Sequence, residues 1–353
     1  MNLTLKQKIG QMLIIRIFGK ALTDDYKEIV KKYKIGGVIL YSSNYDSYDE
    51  MLNLINEIKR YNKENNIPPM FVSIDEEGGR VNRFPKDIKS TPSAKKIKNN
   101  HEVVRKIGNN TSKLLFKSGI NMNFAPVLDI QKFEDNHSIG NRCFGANKDE
   151  VIENALPMMK AIQKEKIISV IKHFPGHGLV KTDSHHFLPR VSKKLREIYD
   201  EDLLPFYKAI DEGADAVLLG HIILNKIDFF NPVSLSKKAI KRLLRCRYDG
   251  LIITDDIKMR SVRYRYGYKK ALYKAINAGC DVILIGGSYS DVEYAINYVV
   301  KNAKPDTFEC IEDSLVRISK IKEKYNINND LVKGIDIKRY NKEIENILKR
   351  LKD

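Results

Sequence analysis

Histidines and other reactive side chains are concentrated in one part of the chain. Of the seven histidines, five fall between His173 and His221, and three of these share a stretch with other titratable groups. The stretch reads Lys172-His173-Phe174-Pro175-Gly176-His177-Gly178 and continues to Asp183-Ser184-His185. It follows the apolar run Ile167–Ile171, which is typical of a buried strand. Packing alone rarely requires several titratable groups at a strand end, so the segment indicates chemistry.

Two kinds of chemistry fit this segment. Asp183 and His185 can form a carboxylate–imidazole pair, which orients the imidazole and suits a general acid that later acts as a base. The alternative is a metal site, with the candidate ligands His173, His177, Asp183, His185 and His186. We expect no metal, because Lys172 would repel a cation beside His173. The Phe-Pro-Gly sequence also breaks any helix that would align His173 with His177, so we expect His177 to be a hydrogen-bonding turn residue.

Further polar groups follow other apolar runs. Asp255 comes directly after Leu251-Ile252-Ile253-Thr254, and there it could be a nucleophile, a metal ligand or a stabiliser of positive charge. Fixed cations together with one acceptor could grip a hydroxyl-rich ligand through charge-assisted hydrogen bonds. The residues of this predicted binding set are Asp75, Arg83, Arg142, Lys172 and His173.

Each candidate also has a structural interpretation that the sequence leaves open. Asp256 could cap the following helix. His221 could be a hydrogen-bonding core residue as readily as a ligand contact. Asp75 or Glu76 could form a rim salt bridge with Arg80 or Arg83. Arg142 could bind carbonyls of its own loop, and only their neighbourhood favours Glu76 and Glu77 as acid/base residues.

Eight short apolar runs alternate with segments of helical apolar spacing. The predicted strands are Met12–Ile17, Gly37–Leu40, Met70–Ile74, Met122–Ala125, Ile167–Ile171, Ala216–Leu219, Leu251–Ile253 and Val282–Ile285. The predicted helices include Asp49–Arg60, Glu102–Lys117, Glu150–Lys164, Leu195–Glu212, Tyr268–Ala278 and Ser290–Lys301. Near-continuous apolar strands alternating with helices favour an α/β fold of parallel strands covered by helices.

Eight such units predict a (β/α)8 TIM-type barrel, with a doubly wound open sheet as the alternative. No GxGxxG follows the first strand, so a dinucleotide fold lacks its usual signature. We expect residues 1–353 to form a single catalytic domain with a helical tail over about 326–353, including a helix from Lys338 to Leu351. The polar groups fall at the predicted strand C-termini, where barrel active sites lie.

Composition narrows the class of partner. The 353 residues are 42% hydrophobic, which suffices for a large core, and the net charge is +17. Lys and Arg are scattered among acidic residues along helices, so we expect solvated helix faces and no nucleic-acid partner. No apolar run reaches the roughly 20 residues that cross a bilayer, and the N-terminus lacks a signal-peptide pattern. Four separated cysteines fit a reducing cytoplasm. We expect a cytoplasmic monomer without a membrane partner.

Together these segments resemble glycoside hydrolase family 3, in particular its single-domain β-N-acetylglucosaminidases of the cell-wall-recycling type. The motifs occur in family order from about residue 3 to 290, and Lys-His-Phe-Pro-Gly-His-Gly with Asp-Ser-His is the most specific. The matching segments are Gly36–Leu40, Ile74–Val81 with Arg83-Phe84, Asn123–Asp129, Ile139–Arg142, Lys172–Gly178, Asp183–His185 and Thr254–Met259.

The resemblance implies a retaining double displacement without a cofactor. Asp255 occupies the position of the family nucleophile, His185 that of the acid/base and Asp183 that of its orienting partner. The residues matching sugar-binding positions are Asp75, Arg83, Arg142, Lys172 and His173. The implied substrate is terminal β-linked N-acetylglucosamine, with muropeptide fragments as its source. Family-3 β-glucosidase and N-acetylglucosaminide phosphorylase activities are the alternatives.

The chain departs from the family pattern after Met259. Small or acidic residues are common there, whereas this chain has the strongly basic loop Arg260-Ser261-Val262-Arg263-Tyr264-Arg265. Because the loop is expected on the leaving-group side, it could favour anionic peptide or lactyl groups. It could equally reflect the general excess of Lys and Arg, which is the interpretation we favour from sequence.

Overall fold

Eight parallel strands form a closed barrel in this computed structural model, which describes residues 2–133, 136, 139–180 and 188–351. Each strand pairs with the next along the chain, and the last pairs with the first. The strands are β1 Leu13–Arg16, β2 Gly37–Leu40, β3 Phe71–Ile74, β4 Met122–Asn123, β5 Ile168–Phe174, β6 Ala216–Leu219, β7 Leu251–Thr254 and β8 Val282–Ile285. The predicted (β/α)8 barrel is confirmed.

Helices surround the barrel and bury their apolar faces against the strands in one continuous core. Several begin where a polar side chain accepts a hydrogen bond from a free amide of the first turn, as Ser47 and Asn147 do. The α-helices are Leu5–Gln11, Asp24–Tyr33, Tyr48–Glu64, Ala94–Ile97, His101–Lys117, Lys148–Lys164, Leu195–Glu197, Leu204–Asp211, Lys237–Ile240, Arg260–Ala278, Tyr289–Asn302, Pro305–Lys324 and Ile337–Lys349.

Two predicted segments differ from the structure. The single helix expected over Leu195–Glu212 is divided by a π-helical turn, Ile198–Asp202. Pro205, which cannot donate a backbone hydrogen bond, lies in the first turn of the next helix. The prediction that residues 260–265 form a loop is wrong, since they form the start of the helix Arg260–Ala278, which is interrupted at Gly267.

The C-terminal helix Ile337–Lys349 packs on the outside of the barrel. Tyr340 and Ile344 are buried, and the segment before the helix is held by Lys59, whose ammonium donates to the carbonyl of Asn328 at 2.9 Å. A two-stranded sheet, Arg190–Val191 with Ile223–Leu224, lies beyond the C-terminal ends of β5 and β6. Among the described helices, none is long and apolar enough to cross a membrane.

Candidate active site

A buried ion network lies at the C-terminal ends of β3 and β5. Lys172, on β5 and 2% exposed, lies with Nζ 2.6 Å from Oδ1 of Asp75 and 2.5 Å from Oε1 of Glu77. Arg142 binds Glu77 with two hydrogen bonds, both 2.7 Å long, from Nε and Nη2. Burial acts to raise the pKa of Glu77, but Lys172 and Arg142 outweigh it and hold that pKa well below its usual value. Glu77 is therefore a buried, ionised carboxylate.

This network decides between the alternatives for the carboxylates and Arg142. Asp75 pairs with Lys172, so the rim salt bridge to Arg80 or Arg83 considered from sequence is not the arrangement found. Arg142 binds the Glu77 carboxylate, whereas the alternative considered from sequence was binding to carbonyls of its own loop. Glu77, considered only as an acid/base residue, is instead the common partner of two binding-set cations. The turn after it requires Gly78, whose φ is +82° and whose Cβ would lie 2.4 Å from the carbonyl oxygen of Pro92.

His173 is held by a carboxylate that the sequence did not single out as a site residue. Its Nδ1 lies 2.6 Å from Oδ2 of Asp129, which is fully buried. The other oxygen of Asp129 accepts the backbone amides of His173 at 3.2 Å and His177 at 2.6 Å. Although burial acts to raise it, these donors hold the pKa of Asp129 below its ordinary value. Asp129 reaches this position because residues 126–128 run alongside the end of β5.

The Asp129 contact fixes the tautomer of His173. A proton on Nδ1 donates to the carboxylate, which leaves Nε2 as an acceptor toward Nη2 of Arg142 at 3.3 Å. His177 is buried and packs edge-on against His173, with ring centroids 5.9 Å apart. Burial lowers the pKa of His177, which favours the neutral ring. These contacts agree with a structural role for His177 in the turn.

Asp255 lies at the end of β7. Its amide donates to the carbonyl of Leu219 on β6 at 3.0 Å, and its Oδ1 accepts the amide of Asp256 at 2.7 Å. The side chain is half-buried at the barrel mouth. Rigid anchoring through two neighbouring strands suits a group that must meet a substrate atom in a fixed geometry.

Asp256 joins the ends of β7 and β8. Its Oδ1 accepts the amides of Lys258 at 2.8 Å and Gly286 at 2.9 Å, and burial raises its pKa to about 6. A Cβ at Gly286 would lie 2.4 Å from Oδ2, so only glycine leaves room for this carboxylate. Asp256 does not cap the following helix, which was one interpretation of the sequence, because the residue preceding that helix is Met259. His221 bridges Ser234 and the carbonyl of Asp256, at 2.7 and 3.2 Å, as a buried core hydrogen-bonder.

Two arginines and a tyrosine complete the side of the mouth formed by β1–β3. The guanidinium carbons of Arg16 and Arg83 lie 5.0 and 6.0 Å from the ring centroid of Tyr41. Burial and then the carboxylates Asp256 and Asp75 raise the pKa of the Tyr41 hydroxyl. Among the described residues, no hydrogen-bond acceptor meets Nε of Arg16 or of Arg83. Sequence reasoning missed Arg16 and Tyr41, although each stands at the C-terminal end of a predicted strand.

Glu76 is buried beneath Arg83 rather than exposed to a ligand. Its Oε2 accepts the backbone amide of Arg83 at 2.7 Å, and its own amide donates to Asn123 at 3.0 Å. Burial raises the pKa of Glu76 to about 8, so the carboxyl is largely neutral near pH 7. Glu76 therefore stabilises the backbone of the segment that carries Arg83.

Asp183 and His185, the predicted acid/base pair, lie outside the described residues. His186, of the alternative metal set, does too. Within residues 2–133, 136, 139–180 and 188–351, no group of three or more His, Cys, Asp or Glu side chains is arranged to hold a metal ion.

A closed parallel barrel whose mouth collects carboxylates and cations from several strand ends defines a barrel enzyme. The sequence model of the glycosyl hydrolase family 3 N-terminal domain matches residues 4–321. The chain therefore belongs to glycoside hydrolase family 3 and is a glycoside hydrolase, as its motifs predicted.

Relatives and solved structures agree with this assignment. A beta-hexosaminidase of Nitrosospira multiformis is 31% identical over 283 residues, covering 77% of this chain and 79% of its own length. The β-N-acetylglucosaminidase of Paenibacillus sp. FPU-7 superposes with a TM-score of 0.91 at 28% identity, over 98% of this chain and 68% of its own. A fungal multi-domain β-N-acetylglucosaminidase has a TM-score of 0.93 at 28% identity, over 99% of this chain and 43% of its own.

Proposed function

We propose that this chain is a retaining β-N-acetylglucosaminidase that removes terminal β-linked N-acetylglucosamine from peptidoglycan fragments. The observation that carries the proposal is the Lys172 network at the barrel mouth that also holds Asp255. In this network Asp75 and Glu77 bind the Lys172 ammonium, and Glu77 also binds Arg142. The names of the family-3 relatives and structural neighbours supply the sugar class.

The binding set suits the hydroxyls of one pyranose ring. Asp75 offers carboxylate oxygens as acceptors, while Lys172, Arg142 and Arg83 offer charged donors, which form the stronger class of hydrogen bond. His173 adds a ring nitrogen whose tautomer Asp129 fixes. Because these groups are already held by one another, binding costs little reorganisation.

The reaction proceeds by two displacements at the anomeric carbon. Asp255 attacks this carbon and forms a glycosyl-enzyme ester, while His185 protonates the departing glycosidic oxygen. His185, now neutral, then takes a proton from water as the water attacks the same carbon and releases Asp255. Asp183 orients the imidazole throughout. Two inversions leave the β configuration unchanged.

A trapping experiment tests the role of Asp255. A fluorinated N-acetylglucosaminyl fluoride destabilises the oxocarbenium-like transition state and lets the glycosyl-enzyme accumulate. We expect mass spectrometry of the digested enzyme to find the sugar on the peptide containing Asp255. A label on any other residue would refute the assignment.

Paired substrates test the sugar class. We expect the 4-nitrophenyl β-N-acetylglucosaminide to be hydrolysed faster than the matching β-glucoside. Equal or faster turnover of the glucoside would contradict the proposal, and a sugar 1-phosphate formed in phosphate buffer would identify a phosphorylase.

A further inference from the structure

An exposed surface of aromatic and arginine side chains borders the barrel mouth. We call it the aromatic–arginine rim, and its residues are Arg190, Phe229, Phe230, Arg260, Arg265 and Tyr266. Phe229 and Phe230 are 55% and 67% exposed, and their rings meet edge to face with centroids 5.5 Å apart. Large exposed apolar side chains that occur together indicate a binding surface.

The two phenyl rings are held in position by the residues around them. The guanidinium carbon of Arg190 lies 4.7 Å from the centroid of Phe229, and its Nη1 donates to the carbonyl of the same residue at 2.9 Å. The hydroxyl of Tyr266 donates to the carbonyl of Phe230 at 2.9 Å. A surface ordered before binding loses less conformational entropy when a ligand arrives.

The charge of the rim is positive. Arg265 lies over the ring of Tyr266, with 5.7 Å from the guanidinium carbon to the centroid, and Arg260 lies 5.5 Å from the centroid of the 71%-exposed Tyr264. Asp228, the acidic residue that precedes Phe229, accepts a hydrogen bond from the hydroxyl of Ser236 at 2.7 Å. Aromatic faces together with guanidinium groups suit a ligand that combines sugar rings with carboxylates.

The rim residues follow strands of the same barrel end that holds the proposed site. Arg190 lies in the connection after β5, the Phe229–Phe230 segment follows β6, and Arg265 lies in the helix after β7. In a ring of eight strands, β6 and β7 are opposite β2 and β3, which carry Tyr41 and Asp75. Because only the terminal sugar is held by the binding set, the remainder of a longer glycan extends from the mouth over this face, where the rim lies.

We propose that the aromatic–arginine rim binds the leaving-group portion of an extended anionic glycan, a carboxylate-bearing oligosaccharide. Phe229 and Phe230 stack on its sugar rings, and Arg190, Arg260 and Arg265 pair with its carboxylates. An anionic membrane would suit similar side chains, but a bilayer on this rim would cover the mouth through which substrate enters. The inference rests on the proposed function, because only a glycosidase has a leaving-group side.

The test compares three substrates that share a terminal N-acetylglucosamine. These are its 4-nitrophenyl glycoside, neutral chitotetraose, and the tetrasaccharide of alternating N-acetylglucosamine and N-acetylmuramic acid. In Phe229→Ala/Phe230→Ala, we expect kcat/KM on the anionic tetrasaccharide, relative to the nitrophenyl substrate, to fall about tenfold. In Arg260→Gln/Arg265→Gln, we expect this loss on the anionic but not on the neutral tetrasaccharide.

A matched control comes from the opposite end of the barrel. Phe116 is also exposed, at 39%, and also has a cation over its ring, Lys117 at 5.9 Å. We expect Phe116→Ala to leave all three rates unchanged. Unaltered rate ratios in both rim variants would overturn the inference, and so would rim-dependent co-sedimentation with phosphatidylglycerol vesicles, which would assign the rim to a membrane.

Binding separates this inference from the proposed function. If the wild-type enzyme hydrolysed none of the three substrates, the proposed function would be refuted. Calorimetric titration of the tetrasaccharides into Asp255→Asn protein, with and without the rim substitutions, would still measure how much the rim contributes to binding affinity. Weaker binding of the anionic tetrasaccharide on rim substitution is the supporting result, and equal binding overturns the inference.

Discussion

The ammonium of Lys172 lies 2.5 Å from Oε1 of Glu77, and the two side chains are 2% and 5% exposed. Two ions so deeply buried are stable only while each keeps its partners, because neither can be hydrated. Glu77 also binds Arg142, so one carboxylate balances two cations of the sugar-binding set.

Removing this balance should affect both stability and binding. In Glu77→Gln the amide keeps one acceptor but loses the negative charge, so we expect the free energy of unfolding to fall by about 3 kcal/mol. Urea denaturation at neutral pH measures this change. KM for the nitrophenyl N-acetylglucosaminide should rise as Lys172 and Arg142 shift. The exposed Glu345→Gln serves as control, and an equal effect of the two substitutions would contradict the prediction.

Because the contact with Asp129 sets the tautomer of His173, replacing Asp129 should change both the tautomer and the catalytic efficiency. In Asp129→Asn, an amide N–H facing Nδ1 would move the ring proton to Nε2, where it would oppose the Arg142 donor 3.3 Å away. By analogy with other buried carboxylate–histidine pairs, we expect kcat/KM to fall about a hundredfold or more. Nitrogen NMR of the labelled histidines would report the tautomer, and an unchanged spectrum would contradict this explanation.

Glu76 predicts how stability depends on pH. Its pKa is raised by burial from 4.5 in the unfolded chain to about 8 in the folded protein. The stability contributed by the neutral carboxyl is therefore complete below the unfolded pKa and is lost as the pH rises through the folded pKa. We expect Glu76→Gln to reduce the fall in unfolding free energy between these two pKa values. Parallel curves for wild type and variant would be the contrary result.

Asp255 and Asp256 are adjacent carboxylates, but we predict that replacing Asp255 abolishes activity whereas replacing Asp256 mainly lowers stability. Asp255→Ala should lower kcat by about four orders of magnitude. Added azide should restore turnover and give the α-glycosyl azide, because a small anion can attack where the carboxylate stood. Asp256→Asn should mainly lower the melting temperature, since its carboxylate joins β7 to β8. Azide rescue of the Asp256 variant alone would reverse these roles.

A chelator should leave the activity unchanged, because the proposed reaction uses a carboxylate, an imidazole and fixed cations. Overnight dialysis against EDTA, followed by assay with and without Zn²⁺, measures this. Lost activity that returns with the metal would favour the alternative metal site, whose candidate ligands are His173, His177, Asp183, His185 and His186.

The barrel could be predicted from sequence because its signal is local. A buried parallel strand is apolar along its whole length, and each helix repeats its apolar residues every three to four positions. The eight predicted strands all overlap the observed ones, and β5 differs by continuing through Lys172 and His173 to Phe174. The π-helical turn at Ile198–Asp202 escaped prediction because apolar spacing does not reveal a local change in hydrogen bonding.

The amino-acid sequence by itself determined the barrel, the family and the end of the barrel at which the polar residues meet. This end could be predicted because the C-termini of all strands in a parallel barrel lie on one face. Which charges pair was decided only by the tertiary structure. Glu77 and Arg142 are 65 residues apart, and Asp75 and Lys172 are 97 apart. No local pattern links such residues, because barrel closure brings them within hydrogen-bond distance and burial then makes the pairing obligatory. The same closure makes Asp129 the partner of His173 and brings the hydroxyl of Tyr266 to the carbonyl of Phe230.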